Sequence, residues 1–369
     1  QRREAAMELA EEGGAIAPPP VEPTEVGWDD IAPVDPLGLE VGYRLVSMVD
    51  RHQNGELLQR IKAVRKKFAQ DLGFLVPAVH IRDNLELRPG MYRISLKGVP
   101  VGEGEVFPDL LLAINPGQVM GNLPGTPTRD PAFGLPALWI HPEHRNSAQA
   151  MGYTVVDPAT VVATHLTQIV QRHAHELLGR EEVQHLLDHL AKASPKLVED
   201  LVPKVLPLGT LQKVLQNLLE ESVHIRDLRS IVETLADHAG RTQDADLLSA
   251  AVRAVLGRSI IQNLFPGQQE VQAATLNGNL ERLLLNSLQG QSAEGAALEP
   301  GMADSLLNQS AQAVQHLESL GLPPVFLVPA PIRALLSRFL RRAAPQLHVL
   351  SYAEVPENKT VRVVTVVGG

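Results

Sequence analysis

Apolar residues early in the chain recur first at helical spacing and then in strand-like alternation. An apolar stripe with helical spacing predicts a helix that opens near Gly55 and ends at Gly73. The stripe consists of Leu57, Leu58, Ile61, Val64, Phe68 and Leu72. Alternation of apolar and polar residues predicts several strands around this helix. The predicted strands are Val79–Ile81, Tyr92–Leu96 and Val99–Val106, with a strand or short element at Val41–Met48. The first unit is therefore expected to mix helix and sheet.

A second unit is expected between Pro108 and Asp157, with a βαβ-like pattern. Its predicted strands are Leu110–Ile114, Ala137–Ile140 and Tyr153–Val156, with a helix at Pro142–Met151. The segment from Asn115 to Pro136 is rich in Gly and Pro and is expected to be a loop. Asp157 then precedes Pro158, which is the arrangement of a helix N-cap followed by proline at the first helical position. The helix that starts there is expected to run to about Leu178 and to return to the first unit.

The chain from Leu178 to Gly257 contains no Phe, Trp or Tyr and shows only helical periodicity. Its apolar residues are mostly Leu and Val, and prolines and a glycine divide the stretch into segments. This pattern predicts an all-helical domain. The predicted helices are Arg180–Ala193, Lys196–Val202, Thr210–Glu220, Ile225–Ala239 and Asp244–Leu256.

Helices and strands alternate again in the last 110 or so residues. This order predicts a partly parallel sheet that is covered by helices on both faces. The predicted strands are Val271–Leu276, Val325–Val328, His348–Ser351 and Val361–Val367. The predicted helices are Asn279–Leu288, Ala303–Leu320 and Pro331–Arg342.

The first 36 residues differ from the rest in composition. They contain six prolines from Pro18 onward and carry a charge of −7, whereas the whole chain carries −9. This segment is expected to be an acidic linker, in which Trp28 is either a docking anchor or a residue packed on its own chain. The rest of the chain is nearly neutral, which argues against nucleic-acid binding. No apolar run approaches the ~20 residues of a membrane span.

Motifs of catalysis or cofactor binding are weak. The Gly102-Glu103-Gly104 sequence lacks the third glycine of a dinucleotide loop and carries acids where a pyrophosphate would lie. His185 and His189 have helical ligand spacing, but the sequence offers no converging third ligand, so no metal and no cofactor are expected. The chain has no cysteine, which excludes thiol redox chemistry. Phe133, in a Pro/Gly loop, is either a core residue or an exposed contact.

Several strings of residues, taken in order, resemble a known family. They include Lys66–Phe74, Val79–Asn84, Asp130–Leu135, Val161–Leu166, Glu199–Pro203, Val214–Leu219, Ile225–Asp227 and Arg338–Arg342. The chain resembles the C-terminal cytoplasmic region of the FlhA family of flagellar type III export-gate proteins, which is related to the injectisome export-gate proteins. The resemblance covers about residues 28–369.

This resemblance implies an α+β multidomain fold. After the linker (residues 1–36), a thioredoxin-like domain (37–108 plus 158–177) is expected to contain an inserted ferredoxin-like domain (109–157). An all-α helical domain (178–257) and a C-terminal α/β domain (258–369) are expected to follow.

The resemblance also implies positions for the binding residues. The chaperone site would be a shallow apolar depression between the first domain and the insert. Its residues would be Ile114, Pro116, Asp130, Phe133, Leu135, Val156, Val161 and Thr164. The linker residues Glu25, Trp28 and Asp30 would dock on a neighbouring subunit, and Gly42 would be a hinge between domains.

The function implied is that of a docking platform without enzymatic activity, at the cytoplasmic face of the inner membrane. It would form a nonameric ring and receive flagellar export chaperones with filament, cap and hook-associated substrates, together with components of the export ATPase complex. An injectisome export-gate homologue is the alternative. A hydrolase or redox enzyme built on thioredoxin-like units is a second rival, of which the thiol version is excluded by the absence of cysteine.

Overall fold

The first sheet is built around two parallel strands that are joined by a long helix. The computed structural model describes residue 31 and residues 33–50, 55–289 and 300–368. The sheet has the order β2-β1-β3-β4, in which β1 and β2 are parallel and the other neighbours are antiparallel. Its elements are β1 (Leu37–Val41), α1 (Val46–Val49), α2 (Glu56–Leu72), β2 (Val79–Asp83), β3 (Met91–Leu96) and β4 (Val99–Glu105).

Helix α2 confirms the periodicity prediction. Leu57, Ile61 and Phe68 are buried on its inner side, and Gly73 ends the helix in the left-handed conformation at φ 94°. A side chain at Gly73 would also overlap the backbone of Arg226. Both facts explain why glycine stands at this helix end.

Of the two alternatives for Val41–Met48, a strand or a short element, the structure shows the short element, and the strand lies earlier. The strand is Leu37–Val41, and the chain then turns through a 3₁₀ segment at Tyr43–Leu45 into α1. Its signal was the alternation of Leu37, Leu39 and Val41, all fully buried. The turn occurs at Gly42, whose backbone N–H donates to Met91 O at 2.8 Å.

The second sheet has the order β6-β7-β5-β8, and all of its neighbouring strands are antiparallel. Because β7 and β8 both run antiparallel to β5, they are parallel to each other, and α3 joins them as the βαβ-like pattern predicted. The three predicted strands and the helix are confirmed, but a fourth strand was missed. That strand is Thr126–Arg129, which has no large apolar residue and carries Pro127; it lies at the sheet edge, where proline is tolerated. The elements are β5 (Leu111–Ile114), β6 (Thr126–Arg129), β7 (Pro136–Ile140), α3 (Arg145–Ala150) and β8 (Thr154–Val156).

The chain then returns to the first sheet through helix α4 (Pro158–Arg172), which packs on α2 and β4 as expected. The Asp157 carboxylate caps this helix by accepting hydrogen bonds from the backbone N–H and the hydroxyl of Thr160, both at 2.8 Å. The predicted single helix breaks at His173, and a short helix α5 (Ala174–Leu177) follows.

The helical stretch confirms all five predicted helices, and a sixth helix was not predicted. This sixth helix, Gly257–Leu264, begins at the glycine where the all-helical stretch was predicted to end. The cis peptide bond between Val202 and Pro203 lies in one of the connections. The elements are α6 (Arg180–Ala193), α7 (Pro195–Leu201), α8 (Leu208–Glu220), α9 (Leu228–His238), α10 (Ala245–Val255) and α11 (Gly257–Leu264).

The last sheet has the order β11-β10-β9-β12, and all of its neighbouring strands are parallel, not only part of them. Both faces are covered, as predicted. Val325 and Leu327 point into the core that is shared with the helical stretch, whereas Phe326 and Val328 join a second core. The elements are β9 (Glu270–Leu276), α12 (Gly278–Gln289), α13 (Pro300–Ser319), β10 (Val325–Val328), α14 (Ala330–Arg341), β11 (His348–Ser351) and β12 (Thr360–Val367).

One core runs through the first sheet, the helical stretch and one face of the last sheet. The chain from Pro36 to Gly369 forms a single compact unit. The mixed α/β architecture is therefore confirmed. The thioredoxin-like and ferredoxin-like descriptions, and the boundaries of the individual domains, stay predictions. In the described ranges, no helix is long and apolar enough to cross a bilayer.

Candidate functional site

The insert meets the first unit along an apolar seam, defined here by Leu112, Trp139 and Phe107 together with helix α4. Leu112 and Trp139 are paired on neighbouring strands β5 and β7 and are buried in the main core. Phe107 packs edge-to-face on Trp139, with ring centroids 5.3 Å apart. The opposite face of the insert's sheet has a small core of its own around Ala113 and Ile140. The predicted binding residues are distributed along this seam.

Ile114, Pro116 and Leu135 are brought together at one end of the insert's sheet. Ile114 ends β5, and the backbone N–H of Asn115 donates to Pro136 O at 2.9 Å. This bond joins the end of β5 to the start of β7, directly after the loop of residues 130–135. Pro116 is exposed, Leu135 is 39% exposed, and Ile114 is half-buried against the main core.

Asp130 shapes the loop that carries Phe133. Its carboxylate accepts a hydrogen bond from the backbone N–H of Phe133 at 2.7 Å, and its carbonyl accepts from Gly134 at 2.8 Å. Gly134 has φ 70°, which favours glycine. Asp130 is only 3% exposed, whereas Phe133 is 63% exposed. The loop therefore holds an aromatic side chain in solvent on an ordered backbone, and Phe133 is an exposed residue and not a core residue.

The remaining predicted residues are unequal in accessibility. Val156 lies opposite Leu112 and is half-buried in the seam, and Thr164 on α4 is also half-buried. Val161 is 2% exposed and belongs to the core. Val161 therefore supports the seam from within and offers no surface to a partner in this structure.

A buried polar pair, absent from the sequence prediction, lies in the first unit. The Tyr92 hydroxyl is hydrogen-bonded to His165 Nδ1 at 2.8 Å, and the two rings are edge-to-face. Burial lowers the pKa of His165; the negative charge of Asp130 opposes this shift, and the positive charge of Arg172 adds to it. Burial, with a contribution from Asp130, raises the pKa of Tyr92. His165 is therefore held neutral near pH 7.

The Gly102-Glu103-Gly104 sequence makes room for this pair. A β-carbon at Gly104 would lie 2.5 Å from the Tyr92 hydroxyl oxygen, and one at Gly102 would lie 2.9 Å from His165 Nε2. The two glycines therefore admit the rings between β4 and α4. In the sequence, the only sign of this pair was the spacing of the two glycines on one strand face, because Tyr92 and His165 are distant in the chain.

A sizeable cavity in the described part of the chain does not coincide with this site. It has a volume of about 630 Å³ and lies between α2 and the residues that precede α9. Its lining is mostly polar and includes Asp71, Arg226 and Asp227. In the described ranges, no group of three His, Asp or Glu side chains could hold a metal ion. The exposed loop and seam, which can bind an apolar surface, are the better candidate.

Two further predictions concern other parts of the chain. Gly42 packs tightly, since a β-carbon there would lie 2.7 Å from Pro89 O and would overlap the carbonyl oxygen of Arg88. Its role as a hinge stays a prediction. Glu25, Trp28 and Asp30 lie outside the described residues.

Comparison with known sequences places the chain among export proteins. The sequence profile of the FHIPEP family matches residues 1–360. The flagellar biosynthesis protein FlhA of Yersinia enterocolitica is 56% identical over 345 residues, which cover 94% of this chain and 49% of that protein. The chain therefore spans about half the length of the curated relatives it matches.

Solved structures share the fold. A chain in the complex of Chlamydia pneumoniae CdsV and CdsO is 26% identical with a TM-score of 0.80, covering 91% of this chain and 99% of that one. The nonameric SctV-C of EPEC is 22% identical with a TM-score of 0.70, covering 91% of this chain and 100% of that one. The second likeness concerns the fold alone.

Proposed function

The chain belongs to the FHIPEP family, and on that premise we propose that it is the cytoplasmic docking platform of a flagellar type III export gate. It would bind export chaperones with their filament, cap or hook-associated substrates and order the delivery of these substrates. It would act by binding alone, without enzymatic turnover, at the cytoplasmic face of the inner membrane.

The observation that carries this proposal is the exposed Phe133 on its Asp130-ordered loop beside the seam. A large aromatic side chain held out in solvent by a rigid backbone loses little conformational entropy when a partner covers it. Burying it would contribute about 1.5–3 kcal/mol, against about 8 kcal/mol for a micromolar complex. Leu135 and Pro116 extend the apolar surface. An amphipathic helix of a chaperone is the kind of partner that fits such a depression.

The flagellar assignment is favoured over an injectisome one by the degree of similarity. The Yersinia FlhA sequence is 56% identical, whereas the CdsV–CdsO complex contains a chain that is 26% identical. That complex supports an association of this chain with a component of the export ATPase complex. Assembly into a homo-oligomeric ring of nine is proposed from the family resemblance, with the linker residues Glu25, Trp28 and Asp30 docking on a neighbouring subunit.

Calorimetric titration with a flagellar chaperone–substrate complex tests the proposal. Phe133→Ala should weaken binding at least tenfold, equivalent to about 1.4 kcal/mol. The matched control is Leu247→Ala, because Leu247 is equally exposed but lies on α10, in the helical stretch. Equal binding by wild type and Phe133→Ala would remove the site from this loop, and absence of binding to any flagellar chaperone would contradict the proposed function.

A further inference from the structure

Four charged side chains are buried where the helical stretch meets the C-terminal sheet. This charge quartet consists of Glu221, Arg253, Arg333 and Glu354. Glu221 directly follows α8 and Arg253 lies on α10, so both belong to the helical stretch. Arg333 lies on α14 and Glu354 in the 3₁₀ turn after β11, so both belong to the C-terminal unit. The quartet therefore joins two parts of the chain that are about a hundred residues apart.

Each carboxylate contacts both arginines. Arg253 lies 2.7 Å from a Glu354 oxygen and 3.1 Å from a Glu221 oxygen. Arg333 contacts Glu221 through two guanidinium nitrogens, one of them at 3.2 Å, and lies 3.9 Å from Glu354. None of the four side chains is more than 13% exposed. The contacts alternate around a ring of two positive and two negative charges, and the less buried Arg341 approaches Glu221 from outside this ring at 3.9 Å.

The electrostatics of the quartet are balanced only when all four members are present. Burial would raise the pKa of Glu221, but the charges of Arg253 and Arg333 outweigh burial and hold it below its ordinary value. Loss of one member would leave an uncompensated buried charge, which is strongly unfavourable. Arg253 Nε has no hydrogen-bond partner in the described part of the chain. Apolar residues of similar volume would stabilise this space at least as well as the charged ring. We therefore look for its role in fixing the relative orientation of the parts that it joins.

The contrast with the seam shows what that role is. The seam around Leu112 and Trp139 is apolar, and apolar contacts are non-directional, so they tolerate small displacements. Its ion pair, Arg60 with Asp157 at 2.9 Å, is about one-third exposed and contributes little. The junction with the C-terminal sheet also has apolar contacts, at Val325 and Leu327, but the quartet adds groups that need donors and acceptors in register on both sides.

A close backbone approach reinforces the same junction. A β-carbon at Gly257, the first residue of α11, would overlap the carbonyl oxygen of Glu354. The start of α11 therefore lies directly against the turn that carries the Glu354 carboxylate. Arg338–Asp246 and Arg341–Glu220 add more exposed ion pairs between the same two parts.

We propose that the charge quartet is a clasp that fixes the angle between the helical stretch and the C-terminal unit. This inference does not depend on chaperone docking. With the clasp intact, these two parts keep one relative orientation, and movement of the insert takes place at the apolar seam. Without it, the C-terminal unit turns relative to the helices.

Distances between spin labels test the clasp, and the cysteine-free chain accepts labels only where cysteine is introduced. Ala236→Cys on α9 and Gln315→Cys on α13 are exposed positions on either side of the junction. Labelled protein is diluted with unlabelled protein so that only distances within one chain are read. The wild-type background should give one narrow distance distribution, and Glu354→Gln should shift or broaden it.

The matched control is Glu233→Gln, which breaks the exposed Arg229–Glu233 pair and should leave the distribution unchanged. Should Glu354→Gln fail to fold by circular dichroism, Glu221→Gln and the neutral double change Arg253→Met with Glu354→Gln take its place. A broad distance distribution in the wild-type background would by itself overturn the proposal, because the intact clasp should keep one orientation. An unchanged distribution in a folded quartet variant would also overturn it.

Discussion

Asp130 acts on the candidate site through the backbone of its own loop. Because its carboxylate accepts from the Phe133 N–H, removing that acceptor releases the loop before any partner arrives. Asp130→Ala should therefore lower stability by about 1.5–3 kcal/mol and weaken chaperone binding, since the acceptor is charged and buried. Asp130→Asn retains an acceptor oxygen, so its losses of stability and of chaperone affinity should be smaller. Urea unfolding and titration of the two variants check this, and equal losses would contradict it.

A second prediction at the residue scale concerns the space that the glycines of β4 leave for the Tyr92–His165 pair. Gly104→Ala would force the Tyr92 hydroxyl away from its place beside His165. Overpacking of this kind costs about 1–3 kcal/mol. Gly240→Ala is the control, because nothing lies within 4 Å of a β-carbon there. Denaturant midpoints compare the two, and a Gly104→Ala protein as stable as wild type would disprove the steric role of the pair.

The pH dependence of stability follows from the buried histidine. The pKa of His165 is lower in the folded chain than its ordinary 6.5, because burial disfavours the charged form. Above the pKa of the unfolded chain, the histidine is neutral in both states and does not reduce stability. As the pH falls through that pKa towards the lower pKa of the folded chain, the unfolded chain binds the proton first, so the free energy of unfolding decreases. Stability should therefore decrease as the pH falls through the ordinary value of 6.5, and less steeply in His165→Asn. If the free energy of unfolding in urea falls equally steeply with pH in wild type and His165→Asn, His165 is not the source of the pH dependence.

At the scale of elements, local signals predicted most helices and strands. Helix α2, the five helical segments and the central strands carry strong periodicity, so their sequences determine them locally. Strand β6 and helix α11 were missed for opposite reasons. Strand β6 carries Thr and Pro and is held by its partner β7, whereas α11 is short and begins at Gly257, which is typical of a helix end. Both depend on tertiary context.

The cap of α4 yields a prediction at this scale. Asp157 caps the helix and also pairs with Arg60 at 2.9 Å. Burial would raise the pKa of Asp157, but its hydrogen bonds to Thr160 and the charge of Arg60 hold it below its ordinary value. Asp157→Ala should therefore lower stability by about 0.5–2 kcal/mol at neutral pH. Thermal unfolding beside the exposed control Asp237→Ala checks this; similar values for both would contradict the cap.

At the scale of the whole molecule, the family resemblance named residues that the fold brings near one another, and their roles in binding stay predictions. The resemblance brought forward Phe133, Ile114 and Pro116, which the fold gathers at one end of the insert. It also brought forward Val161, which is buried. The Tyr92–His165 pair and the charge quartet were out of reach, because their members lie far apart in the chain and carry no local pattern.

Site-directed crosslinking tests the central claim most directly. A photoreactive label is attached at single cysteines introduced at the site, by Pro116→Cys beside the loop of Phe133 and by Thr164→Cys on α4 at the seam. A third variant, Leu247→Cys, carries the label on α10, away from the site. With a flagellar chaperone–substrate complex, the two site positions should crosslink to the chaperone and Leu247→Cys should not. Crosslinks from Leu247→Cys alone, or none from Pro116→Cys and Thr164→Cys under conditions of measured binding, would contradict docking at this surface.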